Sequence, residues 1–181
     1  MRQAPLLALL LLAAAVAPAQ QNAVPLGARL KLKWHGDIVR FQDGAASHEV
    51  SIRDQFHAAR LDKVALQSAK ESGDFIYLVL DARGPSRIPQ DSHQCGGGYE
   101  SDLIWLKLDK DWKLQTAKNF RYESCWATID DMDGPPKWQG DTLSVTVFSV
   151  SEGGAGKTVT ASYSYKRPDE GLKVVEAPAE K

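Results

Sequence analysis

The stretch His93-Gln94-Cys95-Gly96-Gly97-Gly98-Tyr99-Glu100 gathers an imidazole, a thiol, a phenol and a carboxylate within eight residues. Such groups can move protons, form a disulfide or grip a ligand. The glycine triplet lets the backbone adopt positive φ or approach a partner closely. The second cysteine, Cys125, lies in a segment from Arg121 to Ile129 that alternates as a strand. Alternation puts Arg121, Glu123, Cys125 and Ala127 on one face, with Tyr122 and Trp126 on the other. A Cys95–Cys125 bond would therefore hold the preceding loop over Arg121 and Glu123. The expected site is His93, Tyr99, Glu100, Arg121 and Glu123 around a small polar concavity. The plainer alternative is a stapled loop with a structural Arg121–Glu100 ion pair.

Other motifs fail on inspection. Ser151-Glu-Gly-Gly-Ala-Gly-Lys-Thr158 resembles a phosphate-binding loop, but Ser151 stands where the first glycine belongs, and a strand pattern follows where a helix is needed. It reads as a glycine-rich hairpin loop. Asp130-Asp131-Met132-Asp133-Gly134 is not an EF-hand, because its register puts Ile129 and Gly140 at the first and twelfth positions. Asp130, Asp131 and Asp133 stay a looser calcium candidate beside the solvated acidic turn that such clusters usually form. His93 lies two residues before Cys95, yet no further His or Cys completes a metal set, and His35, His48 and His57 have no ligand-like spacing. No cofactor is expected. Of the five tryptophans, Trp34 and Trp112 continue apolar strand faces, whereas Trp105 and Trp138 are the candidate platforms for stacking on sugars or peptides.

Compartment follows from the N-terminus. Arg2, the apolar run Leu6 to Ala17 and Ala17-Pro18-Ala19 before Gln20 read as a secretory signal peptide over residues 1–19. Its apolar run is about a dozen residues, short of the ~20 that span a bilayer, and no other run approaches that length. The reading predicts an exported chain, periplasmic or secreted, with no membrane span after cleavage. In that setting two cysteines pair, and closing a loop of about 30 residues contributes on the order of 3 to 4 kcal/mol in the chain-entropy picture. The chain carries 22 basic and 23 acidic residues, a formal charge of −1. They are intermixed, as on a solubilising surface, so nucleic acid is not an expected partner.

The elements that must position these groups are strands. Leu30, Leu32 and Trp34 alternate with lysines, and Val50 and Ile52 with Ser51 and Arg53. Ile104, Leu106 and Leu108, then Leu143, Val145 and Val147, then Val159, Ala161, Tyr163 and Tyr165 repeat the pattern. Residues 74–80 are apolar on both faces and read as a central strand. Residues 54–70 hold the one plausible helical stretch, although Leu61, Val64 and Leu66 also fit a strand. Turn signals such as Asp43-Gly44, Ser72-Gly73 and Gly134-Pro135-Pro136 separate the runs. Two connections, Ala82 to Glu100 and Asp130 to Gly140, are long enough to suggest function.

The expected fold is all-β: an antiparallel sandwich or barrel of about ten strands. One domain is predicted over residues 20–176, with one disulfide-stapled long loop and a flexible tail over 177–181. The leading functional expectation is a non-catalytic exported β domain that binds a small ligand or a protein. The alternatives are a hydrolase using Glu100 or Glu123 with His93, and an inhibitor that inserts the stapled loop into an envelope-directed hydrolase.

Overall fold

The computed structural model describes residues 26–87, 98–125, 127, 129–150 and 156–178, with Asp130 and Asp131 described in the backbone alone. The signal-peptide segment, His93, Cys95, Trp126 and residues 151–155 lie outside the described residues. The fold is all-β and every strand pairing is antiparallel.

A short helical turn, Leu26–Arg29, leads into a three-stranded sheet of β1 (Leu30–His35), β2 (Ile38–Asp43) and β3 (Ala46–Ser51). A 3-10 turn at Arg53–Gln55 follows. The large sheet then begins with β4 (Lys63–Ser72), β5 (Phe75–Pro85), β6 (Tyr99–Asp109) and β7 (Leu114–Ser124). It continues with β8 (Ile129–Asp131), β9 (Lys137–Gln139), β10 (Thr142–Val150), β11 (Gly156–Ser164) and β12 (Lys173–Pro178). Its strand order is β12-β11-β10-β8-β7-β6-β5-β4, with β9 paired to β10.

Several expectations shift. The stretch with helical potential, 54–70, is instead a 3-10 turn, an extended segment and β4, because Val64, Leu66 and Ala69 are taken into the sheet and its core. Both ends of the expected loop from Ala82 to Glu100 are ladder: Pro85 pairs with Tyr99, and Ser86 N–H donates to the Gly98 carbonyl at 2.9 Å, while residues 88–97 lie outside the described residues. The strand expected over Arg121 to Ile129 breaks after Ser124 and resumes as β8. Ala177 and Pro178, expected in the tail, pair with Thr158 and Lys157.

Two apolar cores explain why β5 and β6 are buried on both faces. In the first, Val39, Phe41 and Val50 of the small sheet and Ile52 just after it meet Leu78, Leu80, Ile104, Leu106 and Leu108. In the second, Tyr77, Val79, Leu103 and Trp105 meet Leu143, Val145, Val147, Val159 and Tyr163 of β10 and β11. The large sheet therefore curls until strands far apart in its order touch. Ser68 Oγ of β4 lies 3.4 Å from Tyr163 Oη of β11, and Lys70 Nζ donates to the Tyr165 carbonyl at 2.8 Å.

This curl corrects the expectation for two tryptophans. Trp105, a candidate platform, is 2% exposed, and its indole N–H donates to the Pro168 carbonyl at 2.9 Å. Trp34, expected in the core, is 38% exposed: Leu30 and Leu32 pack against the first core, and the end of β1 lies beyond it.

Candidate functional site

Four of the five expected site residues, Tyr99, Glu100, Arg121 and Glu123, lie at one end of β6 and β7; His93 lies outside the described residues. They do not form one concavity. The register slips where Ser101 faces Glu123 but Asp102 faces Arg121, so Tyr122 is an extra residue in β7. A bulge of this kind interrupts alternation and re-aims the side chains that follow. Arg121 falls on the side of Glu100 and Asp102, while Tyr122 and Glu123 fall on the side of Ser101. Glu100 and Glu123 thus point to opposite faces and share no site.

On the first face, Glu100 is buried and Ser86 Oγ donates to its Oε1 at 2.8 Å. Its Oε2 lies 3.5 Å from Arg121 Nη1, an ion pair rather than a hydrogen bond. Two residues along, the fully buried Asp102 accepts the backbone N–H of His57 at 3.0 Å and meets His57 Nδ1 at 2.7 Å. A carboxylate only accepts, so Nδ1 carries the hydrogen. Asp102 thereby pins the segment between β3 and β4 onto the sheet.

On the second face, Arg83 stands 4.5 Å over the Tyr99 ring and donates to Glu123 Oε1 at 3.0 Å. Ser101 Oγ donates to Glu123 Oε2 at 2.7 Å. Beside them Tyr122 Oη donates to Asp81 Oδ1 at 2.5 Å. Burial holds the Asp81 carboxyl above the usual carboxylate range, opposed by the Tyr122 hydrogen bond, nearby Lys63 and Arg83, and a hydrogen bond from Gln67. Burial likewise raises Tyr122, reinforced by the Asp81 charge. Each acid at this rim already has a structural partner. Sequence reasoning missed Asp81, Asp102, His57 and Arg83. Their signal was present: an acid inside an apolar strand must be paired when buried.

The expected calcium cluster rests on Asp130 and Asp131, whose side chains lie outside the described residues, while the Asp133 carbonyl accepts from Lys137 Nζ. Among the described residues no group of three or more His, Cys, Asp or Glu side chains converges.

A different site is concave. Where the curl brings β4 toward β11, a cavity of about 320 Å3 opens between Gln67, Ser68 and Ala69 on one side and Trp138, Asp141 and Tyr165 on the other. Trp138 sits on β9, opposite Leu143, and is 39% exposed. Tyr163 and Tyr165 pack against its ring edge-on, both at 77°, with centroids 6.3 and 6.5 Å away. Asp141, the one charged group lining the cleft, is paired with Lys166 Nζ at 2.5 Å. At β4, Gln67 has no register partner on β5, a second bulge placed at the cleft. Trp138, expected in the Pro-rich connection from Asp130 to Gly140, instead lies on β9 because Lys137–Gln139 pair with β10, and the cleft beside it needed the sheet's curvature. Compared with known protein families, with curated proteins and with solved structures, the chain matches none.

Proposed function

We propose that this chain is an exported, non-catalytic β domain that binds a neutral, hydroxyl-rich ligand of the oligosaccharide type in the Trp138 cleft. One observation carries the reading: a half-exposed indole, buttressed edge-on by two tyrosines, forms the wall of a cavity large enough for a sugar unit. The C–H edges of a sugar ring carry partial positive charge and complement the negative face of an indole. The rest of the lining combines the polar Gln67, Ser68 and Tyr165 with small residues and, with Asp141 paired to Lys166, carries no net charge. Pockets of roughly 300 Å3 or more with a few oriented polar groups are the usual form of small-ligand sites. We read the seam that forms the cleft as the closure of a barrel-like sheet.

Export is supported by the composition of residues 1–19. The Cys95–Cys125 disulfide is supported by close packing at Gly98, where an added Cβ would stand 2.4 Å from Cys125 Cβ and 2.7 Å from its Sγ. Cys95 is three residues upstream, and three residues reach about 10 Å, so the bond is within the chain's span. The rim around Glu100 and Glu123 then holds the framework together and does not bind the ligand.

Isothermal titration with cellotetraose and chitotetraose tests the reading. Saturable binding of either by the wild-type chain, lost in Trp138→Ala and kept in Trp34→Ala, is the expected result. Failure of the wild type to bind either, or equal binding by Trp138→Ala, overturns it.

A further inference from the structure

A second concavity lies on the other side of the segment that Asp102 pins, between that segment and the β1–β2 turn. It measures about 220 Å3, and Arg53, Arg60 and Arg87 line it together with Asp37, Phe56 and Leu61. Three exposed guanidiniums surround one small cavity; Asp37 faces Arg53 and Asp62 faces Arg60, so the pocket keeps a modest positive excess carried by Arg87. Phe56 and Leu61 are buried and give it an apolar wall.

The arginines are oriented. Arg60 Nε donates to Asp62 Oδ1 at 3.0 Å, Arg87 Nε donates to the Ala58 carbonyl at 3.1 Å, and Arg53 Nε lies 3.4 Å from Asp37 Oδ2. Each closest contact is made through Nε, and among the described residues no hydrogen bond is made by the terminal amino groups of the three forks. Those amino groups are the donors that match an oxyanion bidentately.

The backbone beneath them is fixed as well. Asp102 holds His57 by both its ring and its amide; Ala59 N–H donates to the Pro85 carbonyl and Asp62 N–H to the Arg83 carbonyl, each at 2.9 Å. The segment presses so closely on β5 that a Cβ at Gly84 would stand 1.8 Å from the Arg60 carbonyl oxygen. With the main chain held in this way, an anion meets the three guanidiniums without reorganising the backbone that carries them.

We infer that this pocket binds a small organic anion: a phosphate, sulfate or carboxylate head held by Arg53, Arg60 and Arg87, with a short apolar body against Phe56 and Leu61. The site is separate from the Trp138 cleft and stands or falls without it. Phenyl phosphate and inorganic phosphate are the probes, titrated calorimetrically at matched ionic strength. Phenyl phosphate is expected to bind one site per chain, about tenfold more tightly than inorganic phosphate because part of its ring leaves water. Arg60→Gln and Arg87→Gln should each weaken it by about tenfold or more, and Arg40→Gln, on the exposed face of β2, should not. As a check independent of variant folding, the Nε–H resonances of Arg53, Arg60 and Arg87 in the wild type should shift together on titration. No saturable binding of phenyl phosphate, or shifts at Arg40 as large as at these three, overturns the proposal.

Discussion

Replacing Tyr122 with Phe removes one hydroxyl from a buried ring without opening a cavity, and it takes the 2.5 Å donor away from Asp81. A hydrogen bond to a charged group contributes about 1.5–3 kcal/mol, so the loss at neutral pH should be about 2 kcal/mol. The pH dependence gives the sharper test. Asp81 has a folded-state pKa raised above its ordinary 3.8, chiefly by burial. For a raised carboxyl, the folded state is favoured fully below the unfolded value, and that advantage is lost as pH rises through the folded value. The Tyr122 hydrogen bond lowers the folded value, so Tyr122→Phe raises it further. The extra destabilisation should then be smallest below 3.8 and grow toward neutral pH. Urea unfolding of both proteins on either side of that range measures the difference, and Asp81→Asn should abolish its pH dependence. A difference below about 0.5 kcal/mol at neutral pH, or one that does not change with pH, refutes the reasoning.

Gly84→Ala forces a Cβ into the Arg60 carbonyl, and the shift of the pinned segment should cost about 1–3 kcal/mol and speed tryptic cleavage at Arg60, read by urea unfolding and mass spectrometry. In protein isolated from an oxidising compartment, thiol titration after unfolding should find no free thiol until reductant is added. Replacing Cys95 and Cys125 by Ser together should then lower stability by about 2–4 kcal/mol.

Strand periodicity made most of the fold legible: the runs around Leu30, Val50, Ile104, Leu143 and Val159 all lie in strands. Parity within a strand was legible only as far as the first bulge. Counting by twos from Cys125 places Arg121 with Glu123, and one extra residue at Tyr122 reverses that, because alternation carries no signal for an insertion in the ladder. Trp105 failed for a different reason. Its face of β6 is covered by β10 and β11, strands much later in the chain, and that curvature is a property of the assembled sheet. The same curvature sets Trp138 beside β4 and makes the cleft. The arginine pocket was equally hidden, since Arg53, Arg60 and Arg87 meet only once Asp102 and Gly84 draw their segment onto β5.

Trp138 as the ligand platform is tested most directly by following the indole N–H resonances of the five tryptophans during titration with chitotetraose and cellotetraose. With at least one of these sugars, the Trp138 resonance should shift to saturation while Trp34, equally exposed but lining a different concavity, stays in place. A stationary Trp138 resonance with both sugars, or parallel shifts of Trp34 and Trp138, would contradict the account.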